Sequence, residues 1–260
     1  MTSKVLIENR GPVLMIGINR PEKANAIDAD MIAGLSNAYT TLSDDPGLRV
    51  GVLYAVGANF TGGLDLASVG PRLAANDDGL LPENGRDPWG MYREPATKPI
   101  VCAVQGRCFT AGLELVLNSD VCVAAEDAIF GQQEVSRGIV ALGGATVRLP
   151  QRFGWGNAMR YLLTGDQFGA WEALRLGLIQ EVVPAGNQLT RALEIAGRIA
   201  DQAPLAVQAT LAEARVATDT LAGEAAARLR KLAPTLMTTA DAREGVAAMV
   251  ERRTPVFSGA

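Results

Sequence analysis

The chain has 260 residues, with 24 Lys and Arg against 28 Asp and Glu, a formal charge of −4 at neutral pH and no His. Without an imidazole, a His-activated Ser or Cys nucleophile, a His-ligated zinc and a His general base are all excluded, so acid–base work falls to carboxylates, Tyr, Lys, Cys or water. The composition, 48% apolar and 20% charged, is that of a globular chain, long enough for one substantial core or for a large domain with a small appendage, and net negative charge with scattered Lys and Arg argues against nucleic-acid binding.

In chain order, Val5 to Glu8 and Val13 to Asn19, divided by Arg10-Gly11-Pro12, read as a β-hairpin that Pro21 ends. No charged-then-apolar leader precedes it and Pro12 to Ile18 is too short to cross a bilayer, so the expected location is the cytoplasm. Asp28 suits the N-cap of a helix running to about Leu42, which Ser43-Asp44-Asp45-Pro46-Gly47 breaks. Val50 to Val56 follows as a buried strand. The glycines of Gly57-Ala-Asn-Phe-Thr-Gly-Gly-Leu-Asp-Leu66 could turn a backbone N–H toward a ligand, or form an ordinary strand-to-helix turn. No Lys-Ser/Thr follows them, which disfavours a nucleotide phosphate loop. Ser68 to Pro99 is rich in Gly, Pro, Asn and Asp without clear periodicity, the texture of a lid or mobile segment.

Ile100 to Val104 and Val121 to Ala125 are short apolar runs of the kind that fill a covered sheet. Between them, Gln105 to Leu115 leads from strand into helix, and the unsatisfied N–H groups of a first helical turn suit an oxyanion. Glu114, one turn in, complements the helix dipole if it does nothing else. Twenty residues later Phe130-Gly-Gln-Gln-Glu134 brings a second carboxylate. A lone loop Glu is ordinarily solvated, but two carboxylates beside a polarised carbonyl can divide acid and base roles when burial separates their pKa values. Cys102, Cys108 and Cys122 are odd in number, lack CxxC spacing and lie among apolar residues, as reduced core thiols do. Strand and helix alternate to about Val183. From Thr190 to Val250 the chain is Ala-rich, and three or four helices are expected there, with breaks near Pro204, Thr218 to Thr220 and Pro234.

Together, Asn19-Arg-Pro-Glu-Lys-Ala-Asn-Ala-Ile27, Phe60-Thr-Gly-Gly-Leu-Asp-Leu66, Ala103-Val-Gln-Gly106 through Gly112-Leu-Glu-Leu115, Ser119-Asp120, Phe130-Gly-Gln-Gln-Glu134 and Gly143-Gly144 through Arg148-Leu149 resemble the crotonase superfamily. The resemblance implies an α/β fold, a spiral of ββα units over residues 1–189, with a C-terminal helical oligomerisation region over 190–260 that assembles trimers or paired trimers. It implies an acyl-CoA thioester as substrate, coenzyme A being part of that substrate and no separate cofactor being needed. The two oxyanion-hole amides would fall on Leu64 and Ala111, and the two carboxylates of enoyl-CoA hydratases on Glu114 and Glu134. Retention of both favours adding or removing water across the α,β-double bond. An isomerase or other CoA-thioester lyase using one Glu, and a silent acyl-CoA-binding homologue, are the alternatives.

Lys23, Ala24 and Ala26 would border the nucleotide, while Gly63, Asp65 and Gly112 adjoin the oxyanion segments, Asp65 stabilising the turn after Leu64. Phe257 matches a common C-terminal aromatic, whereas Ala67 and Ser258 stand where basic residues are frequent, which removes cations from the CoA site. Trp89 and Tyr92, with Leu73, Met91, Val135, Ile139 and Leu142, are candidate walls of the acyl pocket or ordinary core. Ala141-Leu142 replaces the Pro-Gly commoner in hydratases, and a Leu there could exclude the attacking water.

Overall fold

The computed structural model describes residues 3–75 and 78–256. β1 (Val5–Arg10) and β2 (Val13–Ile18) form the expected hairpin, with Val5 opposite Ile18 and Arg10 opposite Val13. Helix α1 (Ala29–Asp44) starts where Asp28 accepts a 3.0 Å hydrogen bond from the Met31 N–H. β3 (Val50–Ala55) leads to α2 (Leu66–Ala74), and β4 (Ile100–Val104), β5 (Arg107–Phe109) and α3 (Ala111–Asn118) make one ββα turn of a spiral. β6 (Val121–Ala125) and β7 (Ile129–Gly131) begin the next, followed by α4 (Ala145–Phe153), α5 (Trp155–Thr164), β8 (Gln167–Gly169), α6 (Ala170–Arg175) and β9 (Glu181–Val183). Among the described residues three further helices follow: α7 (Gln188–Ala200), α8 (Pro204–Met237) and α9 (Ala240–Glu251).

The main sheet runs β1-β2-β3-β4-β6-β9, parallel from β2 onward, and β5-β7-β8 form a second, smaller sheet. Both faces of the main sheet are covered, which is why its strands read as apolar runs rather than as alternation. One face, with Leu14, Ile16, Leu53 and Cys102, enters the large core. The other, with Val13, Met15, Val50 and Val52, packs on Ala192, Ile195 and Ala196 of α7. The division expected at residue 190 therefore falls inside a helix that serves the sheet, and the helices that stand apart from it begin at Pro204. All three cysteines are buried and free.

Two expectations are corrected. Ser68 to Ala74 is helical rather than loop: α2 runs through Pro71, buries Val69 and rests on α8, with Gly70 close to Met237. Beyond it the segment is irregular, yet Asp87, Trp89 and Met91 are buried. The breaks expected at Thr218 to Thr220 and at Pro234 do not occur, because α8 continues over 34 residues. β-branched residues cost only a few tenths of a kcal/mol each in a helix, and Pro234 stays inside α8 although it removes one backbone hydrogen bond.

Candidate active site

Two backbone segments meet at one cavity. The chain at Leu64 pairs in parallel with Ile27: the Ile27 N–H donates to Gly63 O and the Asp65 N–H donates to Ile27 O, both at 2.8 Å. That pattern turns the N–H of Leu64 itself away from Ile27. Across from it, Ala111 is the first residue of α3, where the helix supplies no acceptor. Neither N–H has a hydrogen-bond partner among the described residues, and both residues line the cavity.

Glu114 and Glu134 face the same cavity and are 3% and 8% exposed. The sequence buries Glu114 by putting it on the inner face of α3, where every residue from Ala111 to Leu117 is buried. Its carboxylate accepts from the Ala145 N–H at 3.1 Å, and the Gly143 N–H also favours its charged form. A Cβ at Gly143 would lie 2.6 Å from Glu114 Oε2 and 2.7 Å from the Trp89 ring, so only glycine lets this backbone approach. Burial, then the charge of Glu134, hold the Glu114 carboxyl well above its ordinary range, against the opposing pull of those two N–H groups and Arg148.

Glu134 opens a short 3₁₀ turn, Glu134–Arg137. Burial pushes its carboxyl up to about 7, although its own N–H, Arg137 and Gln132 favour the charge. Gln132 Nε2 donates to Oε1 at 2.9 Å, and Oε2 has no partner among the described residues. Burial in one cavity thus favours the protonated form of both carboxyls, and the charge of Glu134 adds to that at Glu114. Such a pair can take a proton at one point and deliver another nearby.

The cavity encloses about 1500 Å³ including its open mouth. Its walls are mostly apolar, with Ile32, Leu66, Val69, Leu73, Leu80 and Ile139 among them, and Arg93, Arg137 and Arg230 also contribute. A buried strap forms one wall. The Asp87 carboxylate accepts from the N–H groups of Trp89, Met91 and Tyr92, each at 2.9 Å. The Trp89 indole then donates to Ala111 O at 2.9 Å, and Tyr92 Oη donates to Leu142 O at 3.1 Å. Arg148 locks strap and glycine segment together by donating to Trp89 O at 2.7 Å, Gly90 O at 3.0 Å and Gly143 O at 3.4 Å.

Of the residues expected from sequence, Glu114, Glu134, Leu64, Ala111, Trp89, Tyr92 and Leu142 converge on this cavity, with Leu73 and Ile139. Lys23, Ala24 and Ala26 do not line it; they lie on the turn beside it, where Ala24 O accepts from the Gly62 N–H. Gly63 and Gly112 lie behind the wall, and a Cβ on Gly112 would collide with Thr61. Asp65 is paired with Arg20 at 2.8 Å. Met91 packs into a side cluster with Ala226, and Val135 is exposed and outside the cavity. Phe257 lies outside the described residues. Asp87, Gln132 and Leu236, Met237 and Met249 of α8 and α9 were not singled out in the sequence. A buried Asp two to five residues ahead of three hydrogen-bonded N–H groups is visible only in three dimensions, whereas Gln132, beside Glu134 in the same motif, was open to inspection.

The sequence pattern of the enoyl-CoA hydratase/isomerase family matches residues 8–260. The enoyl-CoA hydratase EchA19 of Mycobacterium tuberculosis is 35% identical over 97% of this chain and 95% of its own length. A carnitinyl-CoA dehydratase of Salmonella typhi is 34% identical over the whole of both chains. The crystal structure of a probable enoyl-CoA hydratase/isomerase from Mycobacterium abscessus superimposes with a TM-score of 0.81 at 45% identity, covering 99% of each chain.

Proposed function

The chain belongs to the enoyl-CoA hydratase/isomerase family, and from that premise we propose that it adds water to, or removes it from, the α,β-double bond of an acyl-CoA thioester. The observation that carries this reading is the pair of buried carboxyls, Glu114 and Glu134, facing one cavity beside two unengaged backbone amides. In the hydration direction, the ionised member of the pair takes a proton from water as its oxygen bonds to Cβ. The π electrons move onto the thioester carbonyl, where the Leu64 and Ala111 N–H groups receive the developing charge. The protonated carboxyl then delivers its proton to Cα, and the carbonyl reforms. Retention of two carboxyls rather than one favours hydration over isomerisation, because water addition needs a proton removed from oxygen and another supplied to carbon.

The turn around Lys23, Ala24 and Ala26 is the proposed resting place of the nucleotide end, Lys23 meeting phosphate as a point charge. Self-association accompanies this reading: Trp155, Leu163 and Trp171 are 72%, 70% and 65% exposed, an apolar display that suits subunit contact. Enoyl-CoA esters of graded length test the activity through loss of the conjugated thioester absorbance, run in ¹⁸O-labelled water. Hydration installs the label; proton exchange without it would establish an isomerase, and silence with every ester would leave a binding protein.

A further inference from the structure

Thr110, the residue before Ala111, has φ +49° and ψ −115°. Ala24 and Arg252, also at positive φ, have ψ of 35° and 42° and so occupy the left-handed helical well. Thr110 lies outside that well, in a conformation a β-branched residue scarcely populates. Its backbone is pinned at both ends: its N–H donates to Gly131 O at 2.8 Å, and its carbonyl accepts from the Glu114 N–H at 3.0 Å. Nothing in local propensity favours Thr here, where a glycine would relieve the strain.

The side chain supplies the reason. Thr110 Oγ1 occupies the space where Gly63 would carry a Cβ, so a side chain at Gly63 would collide with it. Gly63, itself at φ +101°, leaves that space open. The hydroxyl thus lies against Gly63, the residue that precedes Leu64, and belongs to the residue that precedes Ala111, so each amide of the proposed oxyanion site is one peptide away from this contact. Thr110 lines the cavity, and among the described residues its hydroxyl has no hydrogen-bond partner. A rotatable O–H in such a place is a donor in want of an acceptor.

We propose that the Thr110 hydroxyl is a third donor to the thioester carbonyl oxygen, acting with the Leu64 and Ala111 amides. The inference rests on the hydratase reading of the site and adds a catalytic side chain to a hole otherwise built of backbone. Its contribution grows as charge moves onto the oxygen, so it acts mainly on the transition state. Two variants separate hydroxyl from shape. Thr110→Val keeps the β-branch and the volume without the donor, and Thr110→Ser keeps the donor and drops the branch.

With trans-2-hexenoyl-CoA, Thr110→Val is expected to lower kcat by about 10- to 100-fold with little change in KM, the range for a hydrogen bond to a developing charge, while Thr110→Ser stays within about threefold of the parent. The readout independent of turnover is the near-ultraviolet band of bound trans,trans-2,4-hexadienoyl-CoA, which moves to the red as its carbonyl is polarised. That shift should shrink in Thr110→Val and persist in Thr110→Ser. Full activity and an unchanged band in Thr110→Val overturn the proposal, and so does equal loss in both variants, which would assign the effect to backbone shape. If the parent protein hydrates no enoyl-CoA ester, the hydratase reading itself fails and this assignment falls with it; a parent that hydrates normally beside an equally active Val variant refutes the Thr110 role alone.

Discussion

Glu134→Gln is expected to make the protein more stable at alkaline pH while it abolishes most of the chemistry. The carboxyl ordinarily titrates at 4.5 and is pushed up to about 7 by burial. A group whose pKa is raised on folding binds its proton more tightly in the native state, so its contribution to stability is present below the unfolded value and is lost as pH climbs through the folded one. At about 1.4 kcal/mol per pH unit, ionising Glu134 in place costs the native state about 3 kcal/mol by pH 8.5, and less than about 1 kcal/mol at pH 5. The amide cannot ionise and escapes that cost. Whatever packing penalty it introduces applies at both pH values, so the difference between the two isolates titration and should be about 2 to 3 kcal/mol. Relief of Glu114 from its neighbour's charge works in the same direction. Scanning calorimetry of parent and variant at the two pH values should show the melting-temperature gap move in the variant's favour by at least about 5 °C on going alkaline. Hydration should fall by at least about 100-fold in the same variant. A melting-temperature gap that is the same at both pH values would refute the raised carboxyl.

Trp89→Phe removes the indole bond to Ala111 O and should cost about 1 kcal/mol of stability, measured by denaturant melts, with a fall in kcat larger than the rise in KM. Leu142→Gly should speed hydration of crotonyl-CoA and lower the melting temperature, since Leu142 both lines the cavity and packs toward the Met91 cluster; a lower melting point with no rate gain would end the idea that it excludes water. Sedimentation at micromolar concentration should give a trimer or a hexamer, and a stable monomer would contradict the reading of the exposed tryptophans.

Local chemistry made much of this molecule legible in the sequence. The hairpin follows from Gly11-Pro12 between apolar runs, α1 from its Asp28 cap, and the doubly covered strands from their uninterrupted apolar residues. The family resemblance supplied what pattern could not, the pairing of segments around residues 64, 111, 114 and 134. What stayed hidden depends on long-range contact. The strap at Asp87 to Tyr92 reads as a polar loop because Asp87, Arg86 and Arg93 look solvent-seeking, yet one carboxylate there satisfies three N–H groups and so lets the loop be buried. α8 reads as interrupted because Thr and Pro are weak helix formers, yet it is one helix, which packs on α2 and α4.

The relation between the helical tail and the chemistry also follows from contact rather than from pattern. Gly138 ends the turn that begins at Glu134, and a Cβ there would meet the backbone of Asp241 and Ala242 at 2.7 Å. Gly245 answers it one turn along α9, where a Cβ would lie 2.5 to 2.6 Å from the backbone of Arg137. Two glycines, one on each element, thus let main chain rest on main chain, the closest approach a helix and a turn can make. The Arg137 side chain reinforces the contact by reaching Gln133 O at 3.0 Å and Met249 Sδ at 3.3 Å. Because packed backbone cannot give way as a flexible side chain can, the position of α9 is transmitted to the turn that carries Glu134. Met249 of α9, with Leu236 and Met237 of α8, lines the same cavity that Glu134 faces. The tail of this chain is therefore part of the wall of that cavity, and a displacement of α9 would be felt at Glu134 before it was felt at Glu114, which α3 and the Ala145 N–H hold independently.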